Sequence, residues 1–190
     1  MNADDSLYED DDYEPEDEIP IPDIFHSFYE ERPFRCCTSC GEGLKDLQDV
    51  YQVTKTFHGD EVILEYAMCS PCQQNMLKEL SEESVERLAT FQAERSLEPK
   101  NDAAADHFEC EFCRMTRKEA IAKREHFSMA AICFAKNMVD RPIFVCETCM
   151  LEINDKMSEQ TRRRWRDFID THFPGVPADA LPDPTTVPVL

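Results

Sequence analysis

The first 31 residues contain no lysine or arginine but hold thirteen acidic side chains. An acidic start with no apolar stretch behind it lacks the layout of a secretory signal peptide. Nowhere does the chain hold about 18 consecutive apolar residues, the length a membrane-spanning helix requires, so a membrane partner is not expected. Basic charge is scarce: 20 Lys and Arg stand against 40 Asp and Glu, for a net charge of −20. A generic nucleic-acid binder needs a basic face to neutralise phosphates. Five histidines occur, none at a spacing that would make it a metal ligand. An open catalytic zinc keeps three protein ligands and one free position. Nothing in the sequence supplies that arrangement, so an enzyme is not expected. The expected compartment is the reducing cytoplasm, where ten cysteines would not persist as disulfides.

Four cysteine pairs of CxxC form are present: Cys37 with Cys40, Cys69 with Cys72, Cys110 with Cys113, and Cys146 with Cys149. The second and fourth pairs each open a stretch of helical periodicity, and these stretches align without a gap at an offset of 77 residues. Leu80-Ser81-Glu82-Glu83-Ser84 matches Met157-Ser158-Glu159-Gln160-Thr161, Arg87 matches Arg164, Leu88 matches Trp165, and Phe91 matches Phe168. The chain therefore reads as two copies of one cysteine-built module. Such short units bury little apolar surface alone, which makes a metal staple physically reasonable.

The expected organisation has six parts. Residues 1–18 form an acidic tail too poor in apolar side chains to offset the entropy of ordering. Residues 19–33 form a short amphipathic helix or a docking segment. Ile21, Ile24, Phe25, Phe28 and Tyr29 recur at helical spacing, Asp23 is placed to cap and Pro33 to stop it, and packing on the first module is favoured over docking. Residues 34–95 are the first zinc-binding module and 96–106 a linker. Residues 107–173 are the second module, and 174–190 a proline-rich extended tail.

Within the first module, runs at 51–57 and 61–68 flank His58-Gly59-Asp60 and read as a β-hairpin. Ser81 is placed to cap a further helix with an apolar stripe of Val85, Leu88 and Phe91. In the second, 127–135 and 141–145 are strand-like, 117–124 adds a helical turn, and Ile153, Met157, Trp165, Phe168 and His172 share one helical face, so Trp165 is expected in the core.

A two-residue spacer lets one tight turn present two thiolates to one ion, and two such turns complete a closed tetrahedral site. Cys37, Cys40, Cys69 and Cys72 are the expected ligands of one structural zinc, and Cys110, Cys113, Cys146 and Cys149 of a second. Spacing alone does not separate zinc from an iron–sulfur cluster. Cys36 and Cys133 fall outside the pattern and read as a bystander thiol and a buried small hydrophobe. The arrangement resembles the treble-clef class of zinc fingers over residues 34–95 and 107–173, with the zinc ribbon as the near alternative. That resemblance implies an α+β fold of knuckle, hairpin, second knuckle and helix, twice over. It names no biological task.

The favoured function is a non-enzymatic, zinc-stabilised adaptor or regulatory protein with a protein partner. A nucleic-acid-binding or transcription-associated finger is the first alternative. It rests on Arg162, Arg163, Arg164 and Arg166 around Trp165 and on the basic residues of 114–124. A zinc–thiolate redox switch is the second.

Overall fold

The computed structural model describes residues 19–175. The acidic segment 1–18 and the proline-rich segment 176–190 lie outside the described residues. An antiparallel sheet with flanking helices makes the α+β expectation good.

The first half contributes β2 (Tyr51–His58), β3 (Glu61–Cys69), α1 (Ser70–Lys78) and α2 (Glu82–Arg95). The second contributes α3 (Arg117–Lys123), β4 (His126–Phe134), β5 (Asn137–Met138), β6 (Ile143–Cys146), α4 (Glu147–Lys156) and α5 (Glu159–His172). A two-residue strand, β1 (Ile19–Pro20), precedes them and pairs with β5.

The strands form one six-stranded sheet in the order β1-β5-β4-β2-β3, with β6 also pairing with β4. The two halves meet where β2 pairs with β4, from Tyr51 opposite Cys133 to His58 opposite His126. This register obeys a pseudo-twofold. Tyr51 faces Cys69 in its own hairpin, and Phe127 faces Cys146 in the other, so Tyr51 and Phe127 are equivalent. The same spacing makes Thr54 equivalent to Ala130, and these two face each other across the β2–β4 seam. The axis therefore passes through that pair.

A second contact on the axis joins the helices. Ser81 and Ser158 cap α2 and α5, each accepting from the backbone N–H three residues on. Their hydroxyls lie 2.8 Å apart, and those of Ser84 and Thr161 lie 2.9 Å apart. The Ser158 N–H donates to Ser84 Oγ at 2.9 Å, and the Ser81 N–H to Thr161 Oγ1 at 3.1 Å. The repeated cap motif thus satisfies the orphan donors of two helices at once.

Each second helix leaves its own half and packs on the other. Trp165, Phe168 and Phe173 surround Tyr66 of β3, with ring centroids 6.1, 5.7 and 6.2 Å from it. In the opposite direction, Phe91 of α2 meets Phe112 of the second knuckle at 5.0 Å, and Arg95 pairs with Glu152 of α4 at 3.0 Å. One continuous core runs from Phe25 through Val53, Phe127 and Phe144 to Trp165.

Because β2 is central, both of its faces are covered: Gln52, Thr54 and Thr56 are buried on one, and Lys55 is buried on the other, which it shares with Tyr51 and Val53. Lys55 faces Glu65 across the hairpin, their charged groups 3.1 Å apart. The Lys55 ammonium also donates to the His26 carbonyl. Glu65 in turn accepts from Ser27 Oγ and from the Phe28 N–H, each at 2.9 Å. This buried pair clamps the N-terminal segment to the sheet.

That segment corrects one expectation. Residues 19–33 do not form an amphipathic helix: a single 3-10 turn spans Asp23–Phe25, with Pro22 in the cap position and no side-chain cap. Ile21 and Phe25 are buried, while Phe28 and Tyr29 point out. Prolines at 20 and 22 remove backbone donors, and the Lys55–Glu65 clamp ties His26, Ser27 and Phe28 to the sheet, where Ser27 bridges to Arg32 across a turn, so helical spacing does not become a helix. Two smaller departures concern side chains. Val85 is not part of the buried stripe. The apolar face expected to run from Ile153 to His172 is broken between α4 and α5, where Ser158 starts a new helix, although Trp165 is buried as expected. Residues 96–106 are anchored along their length: the Leu97 N–H donates to the Glu111 carbonyl, and Asp102 bridges to His107.

Candidate metal centres

Each set of four cysteines is assembled by the same backbone devices. In the first knuckle the Cys37 N–H donates to the Glu42 carbonyl and the Gly41 N–H to the Cys37 carbonyl, both at 2.8 Å. In the second, the Cys110 N–H donates to the Met115 carbonyl at 2.8 Å and the Arg114 N–H to the Cys110 carbonyl at 3.2 Å. The turn requires a positive φ after the second cysteine: 77° at Gly41 and 64° at Arg114. Glycine adopts it without strain, whereas Arg114 is held there by Glu109 at 2.8 Å and by the Leu97 carbonyl at 3.0 Å.

The other two ligands of each set come from a strand end and a helix start. Cys69 ends β3 and occupies the N-cap position of α1, which places Cys72 in the first turn. Cys146 and Cys149 repeat this on β6 and α4. Backbone N–H groups and the helix dipole at this end stabilise negative sulfur.

The sulfurs of Cys37, Cys40, Cys69 and Cys72 all lie within 4.8 Å of one another, as do those of Cys110, Cys113, Cys146 and Cys149. Cys40 and Cys69 are 3.8 Å apart, and Cys113 and Cys146 are 3.5 Å apart. Tetrahedral metal–sulfur bonds of about 2.3 Å set sulfurs about 3.8 Å apart, so each set is compact enough to hold one metal ion. Every expected ligand is in its set. Cys36 is exposed and Cys133 fully buried, and neither belongs to a set.

One thiol per set is primed to ionise, at equivalent positions. Burial opposes ionisation of Cys37, but the N–H groups of Cys69, Cys40 and Ser39 outweigh it and hold the thiol at about 7. Cys110 is held far below the ordinary thiol range by the side chains of Cys146 and Cys149, against burial and with help from the Cys146 and Phe112 N–H groups. A thiolate is the form that ligates metal. Burial pushes Cys133 up to about 12, as befits an inert thiol.

The second set has a further brace that sequence reasoning did not find. Arg141 grips Glu111, inside the knuckle, through two hydrogen bonds of 2.6 and 2.9 Å. Asn101 adds hydrogen bonds to Glu111 and to the Pro142 carbonyl. The two charged partners are 30 residues apart, and no local pattern links them.

Five of the nine basic residues singled out in the second half face acids. Arg114 pairs with Glu109, Arg117 with Asp106, Lys123 with Glu125, Arg163 with Glu159 and Arg164 with Glu79. Among the described residues, no helix is long and apolar enough to cross a membrane. No protein-family model, curated protein or solved structure matches the chain.

Proposed function

We propose that this is a non-enzymatic adaptor or regulatory protein whose two structural zinc ions hold a binding scaffold in shape. The observation that carries this reading is the closure of both cysteine sets. Each offers four thiol ligands at the spacing of one tetrahedral ion, which leaves no position for substrate or water. A polynuclear iron–sulfur cluster would hold its thiolates further apart, because its own metal and sulfide atoms lie between them. The ions serve the fold by joining a knuckle to the strand–helix junction in each half, and the scaffold presents helices and grooves to a protein partner. The ion pairing of the basic residues weighs against the nucleic-acid alternative, because paired charges are less available to phosphate.

Native mass spectrometry of protein purified under reducing conditions without added metal tests the metal assignment. Two zinc ions per chain are expected, with loss of fold on chelation. A metal-free folded chain, or iron with sulfide, overturns it. The partner assignment is tested by affinity capture with the zinc-loaded protein against a chelated control. A zinc-dependent protein partner is expected, and recovery of nucleic acid alone would transfer the assignment to the alternative.

A further inference from the structure

α2 and α5 are equivalent residue for residue at the 77-residue offset, yet the surfaces beside them differ. Beside α5 the space is filled by the chain's own aromatic side chains. Trp165 and Phe173 pack on Tyr66, and Tyr66, Trp165 and Ile169 are at most 5% exposed. Beside α2 the equivalent positions carry smaller or polar residues. Leu88 stands for Trp165, Gln92 for Ile169, Ser96 for Phe173, and Ile143 for Tyr66. The surface there stays open as a groove of about 620 Å³. Val85, Leu88 and Phe91 line one wall, and Phe112, Ile143 and Ile153 the other.

Length and charge both suit this groove to a helix. Val85, Ala89, Gln92 and Ser96 line it in succession along α2, a stretch that spans about 16 Å, or three helical turns. Val85 is 48% exposed, and Ala89 and Ser96 are small enough for a second helix to approach closely. Glu82 and Glu86, three residues before Val85 and Ala89, are exposed, and neither makes an ion pair among the described residues. Glu98 is exposed at the far end. On the facing wall Arg141 is held by Glu111 through two hydrogen bonds, so it does not offset these acids. Lys78 stands at the other end, where the carbonyl end of a bound helix would meet it. The net charge of −20 adds long-range attraction for a cationic partner.

We propose that the groove beside α2 docks a basic amphipathic helix of a protein partner. Its apolar face lies against Leu88, Phe112 and Ile143, and its basic residues face Glu82, Glu86 and Glu98. The partner's apolar side chains take the room that Trp165 and Phe173 fill beside α5. Apolar anchors seated in a pocket with a charged rim are where binding energy concentrates at an interface. This inference rests on the protein-partner reading and names the chemistry of that partner.

The probe is an amphipathic model peptide of leucine and lysine, about 18 residues long so that it is helical alone, with its leucines on one helical face. Fluorescence anisotropy against the full-length, metal-loaded protein at physiological salt should show saturable binding. A leucine–glutamate peptide of the same spacing should show none. Gln92→Ile with Ser96→Phe gives α2 the side chains that α5 carries, at two exposed positions. This filled variant should keep the parent's melting curve and bind about tenfold more weakly. Glu82→Gln with Glu86→Gln should weaken binding several-fold. In the unaltered protein, hydrogen exchange should slow over residues 77–98 and 141–143 when the peptide binds. Undiminished binding by a folded filled variant overturns the proposal, because the peptide is then held by acidic charge elsewhere. Absent binding, or equal binding of both peptides, also overturns it. Should the filled variant fail to fold, slowed exchange confined to other segments does the same. A natural partner captured equally by parent and filled variant keeps the protein-partner reading and removes this inference.

Discussion

The two cysteine sets share ligands, knuckle hydrogen bonds and strand–helix junctions, yet they differ in shelter. In the second set Cys110, Cys146 and Cys149 are at most 1% exposed, with only Cys113 at the surface. In the first, Cys37 and Cys69 are buried, but Cys40 is exposed and Cys72 half-buried. The second set also has the Glu111–Arg141 brace on its knuckle. The first relies on the Lys55–Glu65 clamp further along its hairpin. One local motif, used twice, thus gives two candidate metal sites different access to solvent, because the surrounding chain and not the ligand set decides what covers each sulfur.

The largest test of that comparison is metal removal. Structural zinc in small modules contributes an apparent binding energy of about 10–16 kcal/mol, against a typical domain stability of about 5–15 kcal/mol. A strong chelator should therefore abolish the cooperative thermal transition seen by circular dichroism. The ions should leave in order, the first set before the second, as read by native mass spectrometry over time. Simultaneous loss, or loss from the second set first, would break the distinction. Mild peroxide should follow the same order, and zinc return on reduction would support the redox-switch alternative.

Next in size are the two charged braces. Glu65→Ala leaves the Lys55 ammonium buried without its partner, and stranding a buried charge typically costs about 3–5 kcal/mol. Glu111→Ala strands Arg141, whose side chain is 37% exposed and can turn to water, so urea denaturation should show a smaller loss. Equal losses would mean that the braces do equivalent work.

Ser84→Ala tests the axis itself. It removes the hydroxyl that contacts Thr161 and accepts from the Ser158 N–H, across the two halves. A loss of about 1–2 kcal/mol is expected for a buried partner left unsatisfied, with the melt remaining a single transition. Two separated transitions would show that the halves unfold independently.

The smallest effect concerns the two unpaired cysteines. In metal-loaded protein a thiol reagent should modify Cys36 rapidly and Cys133 only after unfolding. Cys133 titrates at about 12 in the fold against an ordinary 9.0. Its neutral form is the one the fold favours, so its contribution is full below about pH 9 and is lost as pH rises from there toward 12. Cys133→Ala should flatten that part of the alkaline stability loss.

The ligand sets were legible because metal chemistry is local. A CxxC spacer fixes two sulfurs on one turn, and four such pairs in two copies leave few ways to group them. The strands expected at 51–57 and 61–68 and the cap at Ser81 were legible for the same reason, since alternation and capping act over a few residues, whereas the matching cap at Ser158 was passed over because the apolar spacing ran straight through it. The N-terminal segment misled because its apolar spacing matched a helix, whereas its prolines and the buried Lys55–Glu65 pair left only a short 3-10 turn and a bridged loop. The exposure of Val85 was equally hidden, because a helical stripe does not reveal what lies opposite it.

The four cysteine pairs, the 77-residue repeat and the α+β module could be read from the residues alone, because all are consequences of short-range geometry. The pairing of β2 with β4, the crossing of α2 and α5 to opposite halves, and the single core that serves both came from the fold. Those outcomes depend on contacts between residues such as Tyr51 and Cys133 or Tyr66 and Trp165, which lie far apart in the chain. Their pairing is set by complementary burial between the halves, a property carried by no single stretch of sequence.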